Sequence, residues 1–136
     1  MNESFKKPED SIADLFSSLG QSTRVQIIFI IADQEACVCH LEAILGIRQA
    51  RISQHLMALR KAGIVNTRRV GRHIYYRLVK PDLIHFLLQS AAILQIESES
   101  LQKLSNSSET DCTCPRCKPE LDANAVCRPK TKTEKS

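Results

Sequence analysis

The first apolar pattern of the chain repeats every three or four residues. Its members are Ile12, Leu15, Phe16 and Leu19. This spacing predicts a helix with one buried face. Proline is favoured in the first turn of a helix and glycine just past its end, so we expect this helix to begin near Pro8 and to stop at Gly20.

A second apolar run covers Ile27 to Ala32 and is hydrophobic on nearly every side. Two residues just ahead of it, Thr23 and Gln26, have the spacing of an N-terminal capping box. The run therefore predicts a central core helix that starts near Ser22 and ends near Ala32. On composition alone, a run of six apolar residues also fits a buried strand.

A short brace helix and a longer helix are predicted next. The apolar stripe of the brace helix is Leu41, Ile44 and Leu45, and that of the longer helix is Ile52, Leu56 and Leu59. The longer helix begins at Gln49. Gly46 closes the first helix and Gly63 the second, because glycine adopts the left-handed conformation of a helix end without steric cost.

A hairpin pattern follows these two helices. From Val65 to Leu78, strand-forming residues lie on both sides of Val70-Gly71-Arg72, which predicts two short paired strands. Two helices joined by a tight turn and followed by a hairpin make a winged helix-turn-helix. The expected fold class is therefore mainly α with a small β-hairpin.

The last predicted helix starts at Pro81-Asp82, runs to about Leu104 and has two apolar stripes. The first stripe comprises Ile84, Leu87, Ala91 and Leu94, and the second comprises Leu83, Phe86 and Ile93. A single small domain needs only one such face. We therefore predict that the first stripe pairs with the same helix of a second copy. Packing of both stripes within one monomer is the alternative.

Positive charge is concentrated in the segment that holds the longer helix and the hairpin. Between Glu42 and Asp82 the chain has no acidic residue but nine of its nineteen lysines and arginines. The rest of the chain carries five more acidic than basic residues. Such a local excess is typical of duplex DNA binding, in which neutralised phosphates release counterions. A solvated basic face without a partner is the alternative.

The predicted DNA contacts divide between the longer helix and the hairpin. Polar residues off the apolar stripe lie near the helix start: Gln49, Arg51, Ser53 and Gln54. A recognition helix reads base edges with residues in this position. The hairpin tip carries Arg68, Arg69, Arg72 and His73. We expect its cations on backbone phosphates or in the minor groove, although His73 also fits an ordinary wing residue.

Composition divides the chain into three parts. Residues 1–10 are expected to form a flexible N-terminus, 11–104 the DNA-binding and dimerisation domain, and 105–136 a disordered tail that contains cysteines. No apolar run approaches the roughly 18 residues of a membrane helix, and the N-terminus lacks the apolar region of a signal peptide. We therefore expect a cytoplasmic protein without a membrane partner.

Two cysteines precede the brace helix and four lie in the tail. They are Cys37, Cys39, Cys112, Cys114, Cys117 and Cys127. In a reducing compartment, such residues are more often ligands or redox thiols than structural disulfides. Thiolates select soft ions, such as trivalent arsenic or antimony, cadmium, lead and copper(I). Cys37 and Cys39 are two residues apart, so they meet one ion only where regular helical geometry is lost.

An enzymatic function is not indicated. Cys114 and Cys117 have the CxxC spacing of disulfide oxidoreductases, but they lie in a polar tail without the strand and helix that such motifs require. The sequence has no phosphate-binding loop and no serine–histidine arrangement. The tail cysteines also fit a separate zinc knot, and the thiols as a whole also fit a redox-sensing or persulfide-sensing repressor.

Three runs of sequence resemble the ArsR/SmtB family of metal-responsive transcriptional repressors. They are LGQSTRVQIIFII, EACVCHLEAILGIRQARISQHLMALRKAGIV and GRHIYYRL. The resemblance implies a dimeric winged-helix repressor that binds operator DNA and leaves it when a metal or metalloid binds. It also implies that Cys37 and Cys39 match the paired thiolates of the brace-helix site, and that His55 belongs to the start of the recognition helix.

Two departures from the family pattern bear on the inducer. His40 stands where the family commonly has Asp, and Glu42 where its arsenic sensors can have a third cysteine. The family's second site, on the C-terminal helices, is replaced here by Lys80, Asp82, Ile93 and Ile96. Zinc sensing of that second type is therefore not expected.

The expected inducer is trivalent arsenic or antimony, with cadmium or lead as alternatives, and no organic cofactor is expected. A flexible tail can supply the third thiolate that Cys37 and Cys39 lack. The predicted ligands are therefore Cys37, Cys39, Cys112, Cys114 and Cys117.

Overall fold

The computed structural model describes residues 6–32 and 34–105. Within these ranges the chain forms helices and strands in the order of a winged helix-turn-helix. They are α1 (Pro8–Leu19), α2 (Ser22–Ile30), β1 (Ala36–Cys37), α3 (Val38–Leu45), α4 (Gln49–Lys61), β2 (Val65–Val70), β3 (His73–Leu78), α5 (Asp82–Ile93) and α6 (Ser98–Ser105). The predicted fold class is confirmed.

The core lies where α2 meets α3 and α4. Its most deeply buried side chains are Ile27, Ile28, Ile30, Ile31, Leu41, Ile52, Leu56 and Leu59. The central position predicted for α2 is confirmed, and the alternative of a strand is wrong. Burial of a side chain of this size contributes about 1.5 to 3 kcal/mol, so the three predicted apolar stripes supply most of the driving force for this arrangement.

The predicted capping box at Thr23 and Gln26 is wrong. The residue that caps α2 is Gln21, in extended conformation and without a side-chain capping bond. Its carbonyl instead accepts the backbone N–H groups of Arg24 and Val25 at 3.0 and 3.2 Å. The helix therefore starts one residue before Thr23, which lies inside its first turn.

The glycines predicted to end α3 and α4 do so. Gly46 has φ 67° and Gly63 has φ 76°, in the left-handed region. After α4 the N–H of Ile64 donates to the carbonyl of Leu59 at 3.0 Å, the bond that closes a Schellman motif. These two ends fix the short connection between α3 and α4 and the entry into β2.

The predicted single helix that ends near Leu104 is wrong, because the chain divides it into α5 and α6. Gln95 has φ 59°, and the N–H of Ile96 donates to the carbonyl of Ala91 at 2.9 Å. This is again a Schellman end, here with glutamine in the position that usually holds glycine. After the break, α6 folds back against α2.

The hairpin belongs to a three-stranded antiparallel sheet in the order β1-β3-β2. Val70 pairs with His73 across a two-residue turn, in which Gly71 has φ 62°. The third strand, β1, is only two residues long, and Cys37 pairs with Tyr75. The predicted hairpin is confirmed, and β1 is an addition to it. None of the helices described above is long and apolar enough to cross a membrane.

Candidate thiol pocket and nucleic-acid interface

Cys37 and Cys39 lie at the junction of β1 and α3. Cys37 is both the last residue of β1 and the N-cap of α3, with extended backbone angles, and Cys39 lies in the first helical turn. Because only Cys39 has helical geometry, the two Sγ atoms approach to 3.2 Å. Both side chains are buried. The N-terminus of a helix favours negative charge, so this junction suits thiolate ligands.

The Sγ atoms of the two cysteines are close without a covalent bond between them. Their own Sγ separation of 3.2 Å is far longer than the S–S bond of about 2.05 Å, so the two are not bonded to each other. The remaining predicted ligands, Cys112, Cys114 and Cys117, lie outside the described residues. Two of the five predicted ligands therefore lie side by side at the start of α3 within the described residues.

A cavity of about 240 Å³ opens beside the two sulfur atoms, between the start of α4 and the tip of the hairpin. It is lined by Cys37, Val38, Cys39, Gln49, Arg72, His73 and Ile74. His73 is only 4% exposed, and its Nε2 atom has no hydrogen-bond partner within the part of the chain that the structure describes. Among residues 6–32 and 34–105, no three His, Cys, Asp or Glu side chains already stand close enough to hold one ion.

Tyr75 connects the thiols to the hairpin. It forms a small buried cluster with Cys37 and Cys39, and Val70 packs against this cluster. In the sheet, Tyr75 pairs with Cys37 on one side and with Arg68 on the other. Directly paired residues of antiparallel strands share one face of the sheet. The thiol pair therefore contacts β3, the hairpin strand that lies next to β1.

The start of α4 presents most of the predicted base-reading residues to solvent. Gln49, Arg51 and Gln54 are exposed, and Ser53 is half-buried. The opposite face of the helix carries Ile52, Leu56 and Leu59, all in the core. This division leaves one polar face of a helix end available to a major groove.

His55 is turned away from that face. It is buried, and its Nδ1 accepts a hydrogen bond of 3.2 Å from Nε of Arg24. Burial, followed by the nearby charges of Arg24 and Arg51, lowers the pKa of His55 below its usual value. The structure thus gives His55 a neutral imidazole that joins α4 to α2.

The hairpin arginines occupy two different environments. Arg69 and Arg72 are exposed. Arg68 forms a bidentate ion pair with Glu35, with Nη2–Oε1 and Nε–Oε2 distances of 2.7 and 2.8 Å. Its guanidinium also lies 5.5 Å from the ring centroid of Tyr75. The hydrogen bond to Glu35 raises the pKa of Arg68, and the carboxylate neutralises the charge that a phosphate would otherwise meet.

The predicted dimerisation stripe divides between core and surface. Leu87 and Ala91 are buried within the single chain, and Ile84 packs against its core, whereas Leu94 is 68% exposed. The exposed apolar side chains near this end belong to α1, to α5 and to the residues just after α5: Ile12, Phe16, Phe86, Ile93, Leu94 and Ile96. Phe16 and Phe86 stack edge to face, with ring centroids 5.7 Å apart.

Comparison with known proteins identifies the family. Residues 21–67 match the model of the arsR family of bacterial regulatory proteins. The chain is 41% identical over 91 residues to the arsenic resistance transcriptional regulator ArsR2 of Pseudomonas putida, and the alignment covers 65% of this chain and 77% of that relative. The chain belongs to the ArsR family.

Two further relatives agree with this membership of the ArsR family. The chain is 34% identical over 84 residues to the transcriptional repressor SmtB homolog of Synechocystis, and the match spans 62% of this chain and 64% of that repressor, just under two thirds of its length. The solution structure of the homodimeric winged helix-turn-helix DNA-binding domain Mb0332 from Mycobacterium bovis superimposes with a TM-score of 0.59, at 29% identity, over 71% of this chain and 94% of that domain.

The chain therefore carries the winged helix-turn-helix DNA-binding domain of the ArsR family, and the resemblance noted from the sequence is confirmed. The two curated relatives above are named as a transcriptional repressor and a transcriptional regulator. α3 corresponds to the predicted brace helix, α4 to the predicted recognition helix, and β2 and β3 to the predicted wing.

Three residues important at this ArsR-family site were not singled out from the sequence. Arg24 bonds His55 from 31 positions away, and Glu35 pairs with Arg68 from 33 positions away. Tyr75, the third, pairs with Cys37 in the sheet. Of these three, only Glu35 had a signal in the sequence, as an acidic residue two positions before Cys37. Its partner became identifiable only once β1 was placed beside β3.

Proposed function

We propose that this chain is a dimeric operator-binding repressor that leaves DNA when a thiophilic metal or metalloid binds Cys37 and Cys39. The observation that carries the proposal is the position of the two buried sulfur atoms. They lie 3.2 Å apart and line the same cavity as Gln49, at the start of the recognition helix, and Arg72, at the wing tip. A ligand at the thiols is thus a direct neighbour of both predicted DNA-contacting elements.

Two structural connections support coupling between ligand and operator. Cys37 caps α3, which packs against the recognition helix α4. The same residue pairs with Tyr75 in β3, the inner strand of the wing. An ion that reshapes this junction therefore changes the support of both elements. Allosteric coupling free energies are typically about 1 to 3 kcal/mol, equivalent to about 5- to 150-fold in operator affinity.

A homodimer is proposed on the exposed apolar surface of α1 and α5. Ile93, the last residue of α5, is 82% exposed and the next residue, Leu94, is 68% exposed, while the Phe16–Phe86 pair joins α1 to α5. Exposed apolar surface typically marks an interface. A two-fold dimer would present two recognition helices to successive major grooves, about 34 Å apart.

Trivalent arsenic or antimony is the inducer that we propose first, followed by cadmium or lead. Soft thiolate ligands favour such ions, and the relative from Pseudomonas putida is named for arsenic resistance. In this proposal Cys112, Cys114 or Cys117 supplies the third thiolate for arsenic. These three residues lie outside the described part of the chain.

The test is operator binding measured by fluorescence anisotropy, with reduced protein and without oxygen, during separate additions of arsenite, antimonite, cadmium, lead and zinc. Wild type is compared with two full-length variants, one with Cys37 and Cys39 changed to Ser and one with Cys112, Cys114 and Cys117 changed to Ser. Release of wild type by arsenite, together with retention of the first variant on DNA, is the expected result. Release of the first variant at the same concentration would contradict the proposal.

A second candidate function is a thiol-redox or persulfide switch in the same repressor. The observation that favours it is the 3.2 Å approach of the two buried sulfur atoms, because two thiols at this distance can be oxidised as a pair. This function predicts that no metal releases the reduced protein, and that an oxidant or a polysulfide does. The same anisotropy assay, with oxidised glutathione and sodium tetrasulfide added in place of the ions, separates the two functions.

A further inference from the structure

His73 lines the thiol cavity and has a buried polar atom without a partner among the described residues. His73 is only 4% exposed, yet its Nε2 has no hydrogen-bond partner among the described residues. A buried polar atom left in this way carries a desolvation penalty that a hydrogen bond or a ligand normally offsets. His73 lines the same cavity as Cys37 and Cys39, so a cation held by the two thiols would lie on the side of the cavity that this imidazole borders.

The other residues of that cavity wall do not offer a competing donor of the same kind. Arg72 is permanently protonated and has no lone pair to give. Val38 and Ile74 are apolar, and Gln49 offers only an amide oxygen. A neutral imidazole nitrogen, by contrast, is a common ligand of zinc and related divalent ions.

We propose that His73 Nε2 is the third protein ligand of the thiol pocket, and that Cys37, Cys39 and His73 together form a site for a divalent cation of the zinc and cadmium type. The assignment rests on the thiol site proposed above and extends it. Two thiolates and one imidazole are a donor set that such ions accept, with a fourth position left for water. Trivalent arsenic selects thiolates and gains nothing from the imidazole. The pocket therefore distinguishes divalent ions, which His73 serves, from arsenic, which requires a further cysteine.

Formation of this site requires the wing to move. No three ligating side chains within residues 6–32 and 34–105 yet converge on one point, so His73 must approach the two sulfur atoms when the ion binds. His73 is the first residue of β3, pairs with Val70 at the end of the wing and follows Arg72 in the chain. Its approach draws the wing tip toward α3. A divalent cation thus acts on the wing directly, through a ligand that belongs to it.

The experiment is a titration of reduced full-length protein without DNA and without oxygen. Binding of cadmium is followed by the ultraviolet charge-transfer absorption of cadmium thiolates, zinc by competition with a chromophoric chelator, and arsenite by its own thiolate absorption. The variant is His73→Ala, and the matched control is His85→Ala, because His85 is exposed on α5. We expect His73→Ala to weaken cadmium and zinc binding at least tenfold and arsenite binding less than twofold. His85→Ala should leave all three affinities unchanged.

Equal cadmium affinities for His73→Ala and His85→Ala would overturn the proposal. A measurement on wild type makes the test independent of the variant's folding: the ¹⁵N resonance of His73 Nε2 should shift on addition of cadmium, and an unchanged resonance would also overturn it. The titration contains no DNA, so it tests metal binding separately from operator release. If only the proposed function is wrong, cadmium will bind through His73 but will not release the operator in the anisotropy assay.

Discussion

The wing tip provides the sharpest test of how this protein holds DNA. Arg72 is exposed, and no ion pair joins it to any residue of the described structure. Arg68, only four residues earlier, is held by Glu35 in a bidentate pair. Of these two cations, Arg72 is therefore the one whose charge is available to a phosphate. Replacement of Arg72 by Ala removes that charge without removing any buried contact.

The expected loss follows from counterion release. Each phosphate contact on duplex DNA contributes about 0.9 to the slope of log affinity against log salt concentration. A dimer has two wings, so Arg72→Ala should flatten the slope by about 1.8. At a salt concentration of about 0.1 M, this corresponds to an affinity loss of about 60-fold. Since phosphates carry no sequence information, the loss should be the same on operator and on unrelated DNA.

The assay is fluorescence anisotropy with labelled operator and with unrelated duplex, repeated at several salt concentrations between about 50 and 200 mM. The matched control is Arg77→Ala, because Arg77 is likewise exposed but lies within β3, about 16 Å from the tip at strand spacing. The control should retain the wild-type slope. An unchanged slope in Arg72→Ala, or a loss confined to the operator, would refute the assignment of Arg72 to phosphate.

Four further predictions concern other parts of the site. Glu35→Gln should release Arg68 and so raise operator affinity and steepen the salt dependence; an unaltered slope would show that Arg68 stays away from DNA. Gln49→Ala should narrow the gap between operator and unrelated DNA by about 1 to 3 kcal/mol per half-site, and equal loss on both duplexes would contradict base reading. Burial and two neighbouring arginines lower the pKa of His55, so the unfolded state binds more protons at acidic pH. The free energy of unfolding should therefore be level above about pH 6.5 and fall below it, and in urea titrations His55→Gln should lose this fall. Leu94→Glu should give a monomeric mass in light scattering, and a persistent dimer would exclude the α5 end from the interface.

Local rules were sufficient for most of the fold. The helical spacing of apolar residues located α3 and α4, because each of these helices buries one face in the core, and the continuous apolar run located α2 at its centre. Glycine located two helix ends, since Gly46 and Gly63 adopt positive φ angles that other residues avoid. These features depend on residues near one another in the chain, which is why the sequence alone could predict them.

The features that were missed depend on distant residues or break a local preference. The end of α5 has glutamine where glycine is usual, so the sequence has no marker for the break. The strand β1 is two residues long and exists only because Ala36 and Cys37 pair with β3. Without β1, neither the position of Glu35 beside Arg68 nor the approach of the thiols to the wing could be predicted.

The thiol pair shows how the two kinds of information combine. The spacing of Cys37 and Cys39 already indicated that they could meet only outside regular helical geometry, and the structure provides this by making Cys37 the last residue of a strand and Cys39 part of a helix. The position of Cys37 in a strand has the larger consequence. Because Cys37 pairs with Tyr75 of β3, a sulfur atom that would bind an inducer belongs to a residue directly beside the wing. A ligand at this position can therefore act on the wing within a single subunit, and relief of repression need not pass through the dimer interface.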